Sequence, residues 1–120
     1  MEEFKLIVAG GRDFADVTLL HDKLFELANE AYADKAVSIV SGMARGADLL
    51  AYNIAVNHEI KVYKFPANWD KYGKGAGYRR NEDMAKFADG LLAFFSNTKG
   101  TAHMIECMRR HGKPVHIVNY

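Results

Sequence analysis

Five short apolar runs separated by stretches of helical periodicity constrain this chain most. They are Phe4–Ala9, Ala36–Val40, Lys61–Phe65, Leu91–Phe95 and Val115–Val118. Runs this short, with apolar side chains at consecutive positions, read as strands buried on both faces. Between the first two, Leu20, Leu24, Leu27, Ala28 and Ala31 recur at helical spacing, behind Asp16 as an N-cap. Ala47, Leu50, Ala51, Ile54 and Ala55 form a second stripe, whose small side chains let a helix pack closely on a sheet. Two more helices are expected over about Tyr78–Ala88 and Thr101–His111, the last stopped by Gly112 and Pro114.

This alternation predicts an α/β fold: a Rossmann-like three-layer sandwich around a parallel five-stranded sheet of order 3-2-1-4-5, with right-handed crossovers. The 120 residues fit one domain, 1–120, and contain no linker, internal repeat or low-complexity stretch. In such sheets ligands sit outside the carboxyl ends of the strands, where the strand order reverses. Here that point falls between the first and fourth strands.

Composition removes several classes of function. Hydrophobic residues at 49% and charged residues at 26% match an ordinary folded protein and exclude a disordered or fibrous one. A net charge of +1 lacks the basic excess that grips duplex nucleic acid by counterion release, so nucleic acid is an unlikely partner. No apolar run approaches the roughly 20 residues that span a bilayer, so no membrane association is expected. Cys107 stands alone and cannot form an internal disulfide, and Met1–Lys5 lacks the regions of a signal peptide. The expected location is cytoplasmic.

The unusual residues collect on one edge. Gly10, Gly11, Gly42, Gly46, Gly73, Gly75, Gly77 and Gly100 all follow a strand and precede a helix. Glycine permits close backbone approach, and helix N-termini offer free N–H groups and partial positive charge, so this edge suits phosphate oxygens. Arg12, Arg45, Lys71, Lys74, Arg79, Arg80 and Lys99 lie there against Asp13, Asp48, Asp70, Glu82 and Asp83. That mixture fits a small anion better than a long polyanion.

Gly10–Phe14 is not a dinucleotide fingerprint, because no G-x-G-x-x-G follows the first strand and no acidic residue stands at the end of the second to read a ribose, so an ordinary dehydrogenase is not expected. Ser41–Asp48 reads as a second phosphate loop. In it Ser41 and the Gly46 amide are donors, and Asp48 is a helix cap or an acceptor for ribose hydroxyls. It has no Gly-Lys-Ser/Thr and so is no Walker motif. Trp69, Tyr72 and Tyr78 flank a long loop and can stack on a base or pack as a lid. His103, Cys107 and His111 recur at i, i+4 and i+8, but no second cluster completes a tetrahedral set, so no metal and no cofactor are expected.

Taken together, these motifs resemble the SLOG superfamily, the Rossmann-like group that includes Smf/DprA proteins and Lonely Guy enzymes, and most closely its YspA-like branch. The segments that carry the resemblance are Gly10–Phe14, Ser41–Asp48, Phe65–Lys74, Ala76–Gly77, Arg80–Met84 and Gly100–Ala102. It implies a nucleotide-derived ligand held by the first two glycine loops and by the Gly100-Thr101 turn. The ligand-binding residues are then Gly10, Gly11, Arg12, Asp13, Ser41, Gly42, Arg45, Gly46, Asp48, Trp69, Arg80, Asn81, Gly100 and Thr101.

Lonely Guy enzymes cut the N-glycosidic bond of nucleoside 5′-monophosphates with an Arg in Arg-x-x-x-Met and a Glu in Pro-Gly-Gly-x-Gly-Thr-x-x-Glu. Arg80 and Met84 match the first pattern. In the second, Ser96–Thr101 lacks Pro-Gly-Gly, and Met104 stands at the Glu position. Glu106, two residues on, is turned about 200° away on a helix.

Three readings follow. The leading one is binding of a nucleotide-derived, phosphate-bearing small molecule for sensing or sequestration. The alternative is a Lonely Guy-like phosphoribohydrolase, with Arg80 on the phosphate or ribose and Asp70 or Glu106 supplying the carboxylate. The third, by analogy with DprA-like relatives, is binding of single-stranded nucleic acid. Valine at Gly11 or Gly46 is expected to weaken ligand binding more than stability. A homodimer is expected, with the aromatic lid near its interface, because Tyr72, Tyr78, Phe87, Phe94 and Phe95 are many for so small an interior.

Overall fold

The computed structural model describes residues 1–120. Its strands are β1 (Glu3–Gly10), β2 (Ala36–Ser41), β3 (Val62–Lys64), β4 (Gly90–Phe95) and β5 (Val115–Asn119). The helices are α1 (Val17–Asn29), α2 (Ala47–Asn57), α3 (Trp69–Tyr72), α4 (Ala76–Phe87) and α5 (Lys99–Arg110), with a 3₁₀ turn at Gly73–Gly75. Every strand pair is parallel and the sheet order is β3-β2-β1-β4-β5, as the alternation predicts. Two strand ends, Gly10 of β1 and Phe95 of β4, bound the point where that order reverses.

The period of a strand explains why β1 is apolar throughout. Leu6 and Val8 point to the layer holding Leu20, Leu24, Ile54 and Phe94. Ile7 and Ala9 point to the opposite layer, with Met84, Leu91, Met104 and Met108. Both layers are closed to water, so no position on the central strand can be polar without a partner. The register sets Leu6 beside Ile39 of β2, and Ile7 beside Leu91 of β4. Asp16 caps α1 as expected, its Oδ1 accepting from Leu19 N at 3.0 Å.

Two details differ from the sequence reading. The segment read as an irregular loop after β3 contains α3, capped by Asn68, and a 3₁₀ turn that leads directly into α4. Helix α4 therefore starts two residues before the expected Tyr78, and α5 starts at Lys99 rather than Thr101. Of the aromatics expected to crowd the interior, Phe94 is fully buried and Phe87 and Phe95 are half-buried, while Tyr72 and Tyr78 remain exposed. No helix is long and apolar enough to cross a membrane.

Candidate functional site

The loops at the carboxyl ends of β1, β2 and β4 surround a cleft of about 700 Å³, walled on its outer side by α3 and the start of α4. Eleven of the fourteen residues read as ligand-binding line it: Gly10, Gly11, Arg12, Asp13, Arg45, Asp48, Trp69, Arg80, Asn81, Gly100 and Thr101. They come from five segments spread over some ninety residues, brought together because parallel strands end on one edge.

The other three, Ser41, Gly42 and Gly46, build the loops without lining the cleft. Ser41 is fully buried; its hydroxyl donates to the Asp48 carbonyl at 3.0 Å and accepts from Met43 N at 3.1 Å. That bond holds Met43 in the left-handed region, φ 61°. Gly42 borders an adjoining depression with Pro66 and Ala67. Gly46 has φ +91°, and a Cβ on it would overlap the Gly11 carbonyl oxygen and the Arg12 backbone. The first two glycine loops touch at this point, so chain packing by itself requires glycine at position 46, which the sequence reading assigns to ligand approach. Gly11 differs: it lines the cleft, and a Cβ there would meet only side-chain ends, the Tyr120 hydroxyl and the Asp13 carboxylate.

Arg80 ties the edge together. Its Nη1 donates to the carbonyls of Gly42 and Phe65, and its Nε donates to Asn81 Oδ1 at 3.0 Å. Asn81 Nδ2 in turn donates to the Gly100 carbonyl at 3.2 Å. One continuous set of bonds thus spans the second loop, α4 and the start of α5. Burial lowers the Arg80 pKa, Asp48 opposes this, and Arg12 adds repulsion.

Asp48 is the buried carboxylate of the cleft, only 5% exposed. Burial raises its pKa to about 6; the Arg80 guanidinium and the amides of Ala44, Gly10 and Asp48 itself pull the other way. No Lys, Arg or His nitrogen comes within ion-pair distance of it, so desolvation wins. The other two residues considered for chemistry stand apart from the cleft. Asp70 is exposed on α3, and Glu106 is exposed on α5, 4.0 Å from Arg110. Met104 takes the cleft-lining position, as the helical offset requires.

The N-termini of α2, α4 and α5 carry no side-chain cap, and Gly46, Gly75 and Thr98 stand at their N-cap positions. In α2 the Ala47 amide donates to the Gly11 carbonyl at 3.4 Å and the Leu49 amide to the Ala44 carbonyl at 3.1 Å, and in α4 the Ala76 amide bonds the Gly73 carbonyl, which leaves α5 as the terminus whose first-turn amides are free toward an anion. A Cβ at Gly100 would meet nothing within 4 Å, so packing does not require glycine there. Trp69, 49% exposed, lies over Gly77, and Tyr78 stacks on His103 with ring centroids 4.4 Å apart. Tyr72 points away and packs on Arg79.

Sequence reasoning did not find Tyr120. Its hydroxyl donates to Asp13 Oδ1 at 2.7 Å and its ring meets Phe14 edge-on, centroids 4.8 Å apart. Burial and the Asp13 contact push its pKa up to about 12. The C-terminal residue thereby clamps the first glycine loop, a pairing across 107 positions that no local pattern reveals. Tyr120→Phe is expected to cost about 1 kcal/mol in chemical denaturation, the usual net worth of one partly exposed hydrogen bond to a charged group. Hydrogen exchange of the Gly11–Phe14 amides should rise with it.

A model of the YspA, cpYpsA-related SLOG proteins matches residues 4–72, more than half of the chain. The Gene 61 protein of Mycobacterium phage D29 is 32% identical over 119 residues, covering 92% of this chain and 93% of that protein. The chain belongs to the YspA, cpYpsA-related SLOG family. The X-ray structure of TM1055 shares the SLOG chain's fold at a TM-score of 0.67 and 20% identity, over 93% of this chain and 72% of that one. Membership in the SLOG family supports a nucleotide-related function in general terms. The family match ends at Tyr72, so α4 and α5, with Arg80, Asn81 and Thr101, rest on the geometry above.

Proposed function

We propose that this SLOG protein binds a nucleotide-derived, phosphate-bearing small molecule in the cleft. The observation that supports it is the meeting, in one cavity, of Arg12, Arg45, Lys74 and Arg80 with the uncapped N-terminus of α5 and with the rings of Trp69 and Tyr78. Cations and free amides suit phosphate oxygens, and an aromatic wall suits a base. Asp48 adds a buried carboxylate able to accept from ribose hydroxyls.

A thermal-shift series with nucleoside, nucleoside mono- and triphosphates and inorganic phosphate tests the reading, because a ligand of the native state raises the melting temperature. Arg80→Ala is expected to weaken binding of the phosphorylated members about 10- to 100-fold and to leave the free nucleoside nearly unchanged. Since Arg80 also holds the Gly42 and Phe65 carbonyls, the melting temperature of the unliganded variant is measured alongside. Equal loss for nucleoside and nucleotide would remove Arg80 from phosphate binding.

One observation favours turnover as a second reading. Asp48 places a buried carboxylate in the cleft with Arg80, where Asp70 and Glu106 do not reach. Steady release of free base from a nucleoside monophosphate, abolished by Asp48→Asn, would establish a glycosidic hydrolase over a binding protein. We further propose a homodimer that covers the exposed rings of Trp69, Tyr72 and Tyr78 beside the cleft. Light scattering at tens of micromolar protein should give twice the 13.5 kDa chain mass.

A further inference from the structure

Outside the cleft, α4 and α5 bring three metal-ligating side chains together. Glu82 comes from α4, and His103 and Cys107 lie one turn apart on the same face of α5. His103 Nε2 is 3.5 Å from Cys107 Sγ, Cys107 Sγ is 3.6 Å from Glu82 Oε1, and Glu82 Oε1 is 3.8 Å from His103 Nε2. A tetrahedral ion with bonds of about 2.0 Å to N and O and about 2.3 Å to S holds its ligand atoms about 3.3–3.6 Å apart. The three atoms therefore already stand close to one face of such a tetrahedron, open by a few tenths of an ångström on the Glu–His edge alone.

The place already attracts positive charge. Arg110 Nη2 donates to Glu82 Oε1 at 2.7 Å and to Cys107 Sγ at 3.3 Å. The Arg110 side chain is 52% exposed at the end of α5, so its guanidinium can swing into solvent without disturbing the core. Cys107 itself is fully buried, but Glu82 and His103 border a surface depression shared with Tyr78 and Lys86, which gives an ion a route in.

We infer that Glu82, His103 and Cys107 form a three-ligand site for a divalent cation of the zinc class, with water as the fourth ligand and Arg110 as a displaceable counter-cation. Thiolate, imidazole and carboxylate together are a zinc donor set rather than a magnesium or calcium one. As the Sγ–metal bond forms the thiol proton leaves to solvent, and metal on Nε2 confines the imidazole proton to Nδ1. A proton there faces the Asn81 Nδ2 donor at 3.2 Å, so metal binding breaks the hydrogen bond between them and links this site to a residue of the cleft. The inference stands independently of what the cleft binds.

The test titrates untagged, metal-stripped full-length protein with Co²⁺. A thiolate-to-cobalt charge-transfer band with tetrahedral visible absorption is expected at one ion per chain, and Zn²⁺ should bleach it. Glu82→Gln, a half-exposed position, should weaken Co²⁺ binding by about tenfold or more, and Cys107→Ser should remove the charge-transfer band. Circular dichroism confirms that both variants are folded; if Cys107→Ser is not, Glu82→Gln carries the test. Arg110→Ala should tighten binding about tenfold by removing the competing charge. Absence of the band in the parent protein at millimolar Co²⁺, or unchanged affinity in Glu82→Gln, overturns the site, and unchanged affinity in Arg110→Ala overturns the role given to Arg110.

Discussion

Gly46→Val is expected to cost about 3 kcal/mol or more of folding stability, enough to leave a small domain of ordinary stability largely unfolded on modest warming. Two independent penalties combine at this position. The backbone there, φ 91° and ψ −135°, lies in a region that residues with a Cβ avoid. A Cβ would also overlap the Gly11 carbonyl and the Arg12 backbone, which are main-chain atoms and cannot rotate aside. Urea denaturation compared with Gly100→Ala makes the contrast, since the Gly100 side faces open space. A Gly46→Val protein as stable as the parent would show that the two loops separate easily.

Asp48→Asn should stabilise the unliganded protein by about 2–3 kcal/mol above pH ~7, an effect that vanishes below pH ~4. Burial raises the folded carboxyl to about 6 from its ordinary 3.8. Between those values the folded state keeps a proton that the unfolded chain releases, so the stability of the parent falls as pH rises through that window and levels off above it. Asparagine never ionises and escapes the loss. The same substitution should weaken binding of any ligand that donates hydroxyls to the carboxylate, which is the trade expected where a site holds a charge at the expense of stability. Denaturant midpoints of both proteins across pH check the claim; an Asp48→Asn protein less stable than the parent at neutral pH would mean that Arg80 and the amides overcome desolvation.

The placement of α4 explains how so short a chain builds a cleft. With α3 and the 3₁₀ turn leading straight into it, α4 carries Arg80 and Asn81 to the carboxyl edge while Met84 and Ala85 enter the core below. The same helix, one residue beyond Asn81, turns Glu82 outward to α5. A single element therefore supplies two cleft-lining side chains, Arg80 and Asn81, and a member of the proposed cation cluster.

What the sequence by itself determined was everything carried by local pattern. Consecutive apolar side chains in Leu6–Ala9 and Leu91–Phe94 can be satisfied only between two covering layers, so the sheet, its direction and its order followed from the alternation with helices. The common edge of the glycine loops followed from that topology, and the displacement of Glu106 followed from the 100° step of a helix. Only the tertiary structure decided which of those residues face the cleft. Burial of Asp48 and the contact of Gly46 with Gly11 depend on how two loops far apart in the chain press together. The Tyr120–Asp13 bond and the Glu82–His103–Cys107 cluster join different elements, and His111, which shares the helical spacing of His103 and Cys107, ends exposed outside the cluster. Side-chain spacing along one helix registers which residues share a face, but the partner across the groove is set by packing, and packing is a property of the whole fold.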